Sequence, residues 1–278
     1  NTTGSYNTGV GHRALDQAST ADNNTAVGYQ ALFDITTGNS CTAVGKDALK
    51  LNTASQNTSV GKGSLAANTT GSNNNALGYH SLYANTTGGE NVAVGRMSMV
   101  TNTTGNYNVA VGNDSLYTNN GDANTAVGND ALYANTTGNY NTAVGAYSLD
   151  ANTTGANNTA MGWAALGANT TSSNNTAFGY SCLLSNTTGS KNTAFLIMGG
   201  SKKYTEQARA LNLTNFYQMN FDFDKNSEEI FLNTLDVFAH GRKDGETFGL
   251  AIAEGMRNSL PIVSHRNVYN NGHIETVG

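Results

Sequence analysis

Two glutamates near the end of the chain, Glu246 and Glu254, form the acidic pair whose spacing best suits a chemical site. The second lies in a segment predicted to be helical from residue 247 to 256. Eight residues are just over two helical turns, so both carboxylates lie on one face of the helix. Free backbone amides at its start, around Phe248 and Gly249, are suited to a diphosphate. On an arbitrary helix the same pair would form a solvated acidic face, so the surrounding elements decide between these interpretations.

Strands and helices alternate from residue 195 onward, which predicts a parallel sheet with helices on its faces. A continuous apolar strand ends in Gly199 and Gly200. The predicted strands are at 195–198, 216–219, 237–239 and 261–264. The predicted helices are at 204–211, from a cap formed by Asn226 and Glu229 through residue 235, and at 247–256.

The segment 236–256 resembles the donor-binding part of retaining glycosyltransferases with two Rossmann-like domains. Glu246 and Glu254 match the Glu-x7-Glu motif of that family, and residues 248–250 and 260–263 match its flanking positions. The resemblance implies a nucleotide-sugar donor, with Glu246 as the catalytic residue at the sugar and Glu254 at the ribose. The donor-binding residues that it implies are Gly199, Gly200, Thr247, Phe248, Gly249, Leu250 and Glu254.

This module departs from the family in what it lacks. The family's Gly-Arg and Lys, which neutralise the diphosphate, would fall before residue 196, and the acceptor domain has no counterpart either. His240 and Gly241 replace the Pro-Ser often found in the family. We therefore expect a truncated α/β module at 196–278 that binds nucleotide-sugars weakly and does not turn them over.

Residues 1–195 consist of a repeat of 17 residues, shortened to 16 in two copies. A short fixed period predicts stacked supersecondary units. Each copy has a first apolar cluster, most often Thr-Ala-Val-Gly, and a second, most often Ala/Ser-Leu, separated by a turn that is usually Asn-Thr-Thr-Gly, with no room for a helix. The repeat glycines are Gly11, Gly28, Gly45, Gly61, Gly78, Gly95, Gly112, Gly128, Gly145, Gly162 and Gly179.

The repeat predicts a parallel β-solenoid with two short strands per coil, stacking Val on Val and Leu on Leu in the core. Val111→Asp is accordingly expected to disrupt stacking. The alanines that alternate with the valines, such as Ala26 and Ala110, would then lie on the other face, either against a neighbouring subunit or in solvent. Because a deletion inside a strand would reverse every later side chain, the two shortened copies are expected to lose their residue in a turn.

The Asn-Thr-Ala-Val-Gly-Tyr-x-Ala-Leu and Asn-Thr-Thr-Gly sequences resemble the head repeats of YadA-type trimeric adhesins and related repeats of phage tail fibres. The resemblance covers residues 1–195 and implies a left-handed β-roll assembled as a homotrimer. It also implies a structural or adhesive role at a cell or virion surface, with host-surface glycans or a receptor as partners. Aromatic residues follow the repeat glycine or the core leucine, and they suit either glycan stacking or a subunit interface. They are Tyr29, Tyr79, Trp163, Tyr180, Tyr83, Tyr117 and Tyr133.

Charge and cysteine usage exclude several other classes of function. The net charge of −5 is −3 before residue 196 (6 basic, 9 acidic) and −2 after it (8 basic, 10 acidic), with no basic stripe for a nucleic acid. No apolar run is long enough to span a membrane. Cys41, assigned to the threonine position of its repeat, and Cys182 are interpreted as small-residue substitutes. Neither the histidines nor the turns have metal-ligand spacing, so no metal or cofactor is expected.

The many Asn-x-Thr sequons are interpreted as hydrogen-bonded turn ladders, with glycosylation in a secretory route as the alternative. The chain begins within a repeat, and we expect it to be a fragment or a processed piece. The first functional hypothesis is therefore an extracellular fibre protein that carries an incomplete glycosyltransferase-like module. The alternatives are a cytoplasmic glycosyltransferase oligomerised by the solenoid, and a sequence that joins two reading frames.

Overall fold

The computed structural model describes residues 3–187, 189–191 and 193–195, together with 232–233, 238–240 and 262–264. The first three ranges form a parallel β-solenoid in which each coil contributes one strand and successive coils pair in sequence order. We number each coil after the strand with which it begins. The strands are β1 (Thr8–Val10), β2 (Thr25–Val27), β3 (Thr42–Val44), β4 (Thr58–Val60), β5 (Asn75–Leu77), β6 (Val92–Val94), β7 (Val109–Val111), β8 (Thr125–Val127), β9 (Thr142–Val144), β10 (Thr159–Met161), β11 (Thr176–Phe178) and β12 (Thr193–Phe195).

The register between coils is the one that the repeat predicts. In β9 and β10, Thr142 lies beside Thr159 and Ala143 beside Ala160. The register also holds across both shortened copies, between β3 and β4 and between β7 and β8. There the buried turn asparagine donates to a carbonyl two residues ahead, as Asn119 does to Gly121, whereas Asn135 in a full copy reaches three residues ahead to Gly138. The missing residue is therefore absorbed in a turn, as expected.

The prediction of two strands per coil is wrong, because the leucine segment is a turn. Leu132 has a φ of 51° and Asp130 a φ of 53°, and both values are in the left-handed region. These residues still hydrogen-bond between coils, since the amide of Leu132 donates to the carbonyl of Ser148 at 2.9 Å. These inter-coil hydrogen bonds satisfy the backbone of the leucine turn and offset its conformational cost.

The predicted orientation of the strands is also wrong. Ala126 is fully buried, whereas the neighbouring Val127 is 36% exposed, and the same alternation recurs along the solenoid. The inner position has room for little more than a methyl group. A Cβ added to Gly9, which occupies this position in β1, would lie 3.4 Å from Leu15 Cδ1. The core therefore consists of alanine and leucine, and Val111→Asp would place its charge at the surface and not in the core.

Asparagine columns complete the interior and confirm the interpretation of the sequons as ladders. Asn85 donates to Asn68 Oδ1 at 2.7 Å and accepts from Asn102 at 2.8 Å. The asparagines of the Asn-Thr-Thr sequons between residues 68 and 169 are fully buried, so in the folded solenoid they are closed to glycosylation. The sequon asparagines Asn23, Asn157 and Asn174 are exposed and lie outside this column. A second column precedes the strands, where the amide of Asn91 donates to Asn74 Oδ1 at 3.0 Å.

Cys41 belongs to this second column, and its assignment to the threonine position is therefore wrong. Its amide donates to Asn24 Oδ1 at 2.8 Å, as the column asparagines do. Burial raises the pKa of its thiol. Cys182 is buried beside the core leucine Leu183, as a small-residue substitute should be.

Three further strands form a separate sheet. They are β13 (Leu232–Asn233), β14 (Phe238–His240) and β15 (Ile262–Ser264). The last two overlap predicted strands and pair in parallel, whereas β13 pairs with β14 antiparallel and lies in a segment predicted to be helical. The other elements predicted after residue 195 lie outside the described residues.

Candidate functional surfaces of the solenoid

The residues that the sequence proposed for a nucleotide-sugar site all lie outside the described residues. These are Gly199, Gly200, Glu246, Thr247, Phe248, Gly249, Leu250 and Glu254. Within the described ranges, no three His, Cys, Asp or Glu side chains are grouped as metal ligands, and no helix is long and apolar enough to cross a membrane. Candidate sites in this part of the chain are therefore surfaces of the solenoid.

The first surface is an apolar row at the outward end of the strands, which we call the valine ridge. Stacking in register makes it continuous over eleven coils, or about 48 Å at roughly 4.8 Å per coil. Its members are half-buried or exposed within one chain. They are Val10, Val27, Val44, Val60, Leu77, Val94, Val111, Val127, Val144, Met161 and Phe178.

The second surface consists of half-exposed rings that stack between coils. Trp163 and Tyr180 follow successive repeat glycines, with ring centroids 4.7 Å apart and planes 15° apart. Tyr117 and Tyr133, which follow core leucines, stack at 4.9 Å. The predicted aromatic rows therefore form ring pairs, because one coil places equivalent side chains a stacking distance from the next.

The third surface carries nearly all the charge of the middle coils, and we call it the charged face. It is formed by the first and second residues after each repeat glycine and by the first residue after each core leucine. In coils 3–6 it holds Lys46, Asp47, Lys50, Lys62 and Arg96, and in coils 7–9 it holds Asp114, Asp130 and Asp150. This order is hidden in the net charge of the whole solenoid, and it emerges when the charges are assigned to their coils.

A cleft of about 270 Å³ opens on the charged face at coil 4. It exists because this coil has small residues, Gly63 and Ala66, at two positions where its neighbours have larger side chains. Its walls include Lys50, Lys62, His80 and Asp47, and Asp47 lies 3.9 Å from Lys50. The His80 ring stacks between Tyr79 and Tyr83, with centroid distances of 4.0 and 4.6 Å.

The electrostatic environments of the two halves of this face are opposite. Burial, together with the positive charge of Lys62, lowers the pKa of His80 in the basic half. In the acidic half, burial and the neighbouring carboxylate of Asp114 raise the pKa of Asp130, although a hydrogen bond from Asn129 opposes the shift. Ion pairs compensate part of this charge, because Asp47 lies 3.9 Å from Lys50 and Asp114 lies 3.2 Å from Arg96. The net charge that remains in each half suits a ligand of the opposite sign.

Comparison with known proteins yields no match for this chain among protein-family models, curated proteins or solved structures. A functional assignment therefore depends on the valine ridge, the ring pairs and the charged face.

Proposed function

We propose that the solenoid is the rod-like part of a trimeric fibre that adheres to other surfaces. The observation that carries this proposal is the valine ridge. A continuous apolar row exposed along one side of a soluble rod marks an interface. The core of a single coil is thin, with mainly alanine, leucine, serine and asparagine side chains inside, so burial of the ridge would add apolar area that each coil lacks alone.

A parallel trimer suits this ridge for a geometric reason. Around a three-fold axis, one narrow ridge per chain contacts two neighbours, and equal coils meet at equal heights. Each ridge residue then packs against the same residue of the other chains, so the repeat is matched along the full length. The resemblance to trimeric adhesins and tail-fibre repeats favours the same arrangement and an extracellular location.

This proposal predicts that aspartates on the ridge will dissociate the trimer while leaving the coils folded. The test variant is Val127→Asp, Val144→Asp and Met161→Asp together. Its matched control places aspartates at the other outward position of the same strands, at Thr125, Thr142 and Thr159. We expect sedimentation equilibrium to give folded monomers for the ridge variant and trimers for the control, because only ridge charges would be buried by association. A monomeric native chain, or a ridge variant that remains trimeric, would contradict the proposal.

We propose saccharides as the ligands of the ring pairs, because two stacked, half-exposed rings offer an apolar platform for the C–H face of a sugar. Trp163→Ala with Tyr180→Ala is expected to lower binding to an array of neutral and acidic oligosaccharides by about tenfold or more, since each lost stacking contact contributes roughly 0.5–1.5 kcal/mol. The control is Tyr107→Ala with Tyr140→Ala, exposed rings in the turns between coils. Equal losses in both variants would argue against the ring pair as the site.

A further inference from the structure

The charged face has a property that neither the ridge nor the ring pairs use, because its charges are ordered along the solenoid. On this face, Lys46, Lys50, Lys62 and Arg96 outweigh Asp47, so the face carries +3 (4 − 1) in coils 3–6, and Asp114, Asp130 and Asp150 give it −3 in coils 7–9. Arg96 and Asp114 pair within the chain, which leaves +2 in coils 3–5 and −2 in coils 8–9 for a partner. We propose that this face binds the same face of a second copy of the chain, running antiparallel, with a two-fold axis at coil 6. The inference does not rest on the proposed trimer, which uses the valine ridge.

The pairing follows from the symmetry. A two-fold axis that crosses the solenoid at coil 6 places coil 3 opposite coil 9, coil 4 opposite coil 8 and coil 5 opposite coil 7. It also keeps each row of side chains opposite the same row of the partner. Lys50 and Asp150 both follow a core leucine and therefore face each other. His80 and Asp114 both lie two residues after a repeat glycine, and they also face each other.

The cleft at coil 4 supplies complementarity of shape. Gly63 and Ala66, the small residues at its floor, lie opposite Asp130 and Tyr133 of the second copy, which occupy the same two rows in coil 8. The Asp130 carboxylate then enters between Lys50, Lys62 and His80. The Tyr133 ring, which is 39% exposed in one chain, fills the space over Ala66. A concave basic site thus meets a protruding acidic one, twice in each dimer.

Coil 6, at the axis, presents no uncompensated charge on this face, as a two-fold axis requires. Residues on the axis meet their own copies, so an uncompensated charge there would be repelled. Met97 and Val100 occupy these rows, and both are apolar. The one charged residue nearby, Arg96, is already paired with Asp114 of its own chain at 3.2 Å.

Other arrangements of two such faces are less favourable. A parallel pair in register would place lysine against lysine and aspartate against aspartate. A parallel pair shifted by four coils would match the basic half of one chain with the acidic half of the other. The two remaining halves would stay unpaired and could bind further copies, so the assembly would grow as an open chain. The antiparallel pair satisfies both halves of both chains.

A charge-swap experiment with the full chain tests the pairing. Lys62→Asp and Asp130→Lys are each expected to weaken face-to-face association about 100-fold at low salt, because each creates two like-charge contacts per dimer. An equimolar mixture of the two variants should restore association, since every contact then has opposite charges. Sedimentation velocity at about 20 mM and 500 mM salt measures this, with the native association weakened at high salt. Absence of a salt-sensitive species in the native chain, or of rescue in the mixture, would overturn the proposal.

A cross-linking experiment tests the axis and is independent of the number of chains joined at the ridge. Met97 lies on the axis, so its Cα is close to the Cα of Met97 in the second copy. Met97→Cys is therefore expected to form a disulfide between the two copies under mild oxidation, because a disulfide needs Cα atoms within about 7 Å. Ala164→Cys, in the same row of coil 10, faces coil 2 and should not form one. The native cysteines are both buried and do not compete. Cross-linking of Ala164→Cys, or none of Met97→Cys, would overturn the antiparallel arrangement even if the ridge trimer is confirmed.

Discussion

Replacement of Gly95 by alanine is expected to destabilise the solenoid by about 3–5 kcal/mol, from backbone strain combined with overpacking. Gly95 has a φ of 138°, a conformation that residues with a Cβ rarely adopt. A Cβ at this position would overlap the carbonyl oxygen of Gly112 and lie 2.6 Å from its carbon. The obstructing atoms are backbone, and they are fixed by inter-coil hydrogen bonds, so they cannot move aside without separating two coils.

Gly9→Ala is the matched control for Gly95→Ala. Gly9 occupies the position filled by alanine in most other strands, and the added Cβ would make an ordinary contact with Leu15. We expect this change to be neutral or stabilising, because alanine also restricts the unfolded chain. Urea unfolding at one fixed chain concentration measures both variants, since association itself adds stability. Equal free energies of unfolding for the two variants would show that the close approach of the glycines does not limit which residue can occupy this position.

The second large effect is expected for Asn85→Asp, which preserves the shape of a buried side chain and changes its hydrogen bonding. The Asn85 amide donates to Asn68 Oδ1 at 2.7 Å and to the Gly88 carbonyl at 2.8 Å. A carboxylate would turn both contacts into oxygen–oxygen repulsion in a fully buried position. An uncompensated buried charge costs about 3–5 kcal/mol.

The cost of Asn85→Asp should depend on pH. Burial would raise the pKa of the new carboxyl above its unfolded value of about 3.9. The stability of the variant is therefore highest below pH 4, and it falls as pH rises from that value through the folded pKa. The control is Asn39→Asp, an exposed position where the oxygen accepts from the amide of Asp22 at 2.7 Å, a role that a carboxylate retains. Urea midpoints between pH 3 and 7 that run parallel for both variants would contradict this account.

The period of the repeat was sufficient to predict the architecture. Gly95 and its ten equivalents, with Leu132 and its equivalents at a constant offset, predict stacked coils, parallel pairing and in-register strands, and the structure confirms all three. The two shortened copies predict where the chain tolerates a deletion. The asparagine ladders were also predicted, because Asn and Thr at every turn have few other partners when the coils stack.

The orientation of the strands could not be predicted from the repeat, because alternation identifies two faces without saying which one is inside. Hydrophobicity favours Val127 over Ala126 for the interior, yet the structure buries the alanine. The reason is the width of the coil, which depends on tight turns such as those at Asp130 and Leu132. Those turns leave room inside only for a methyl group, so the larger side chain lies outside and forms the ridge.

The repeat unit, its register, its asparagine turns and the leucine and asparagine contributions to the core were predictable from the sequence, because these depend on the spacing and types of the repeated residues. The folded structure was needed to show which strand residues face outward, that the charged rows form one face, and where the cleft opens. Those features depend on how rows of side chains from different coils align across the surface. Stacking brings Gly63, His80 and Lys50 together at one cleft although their separations in sequence show no motif.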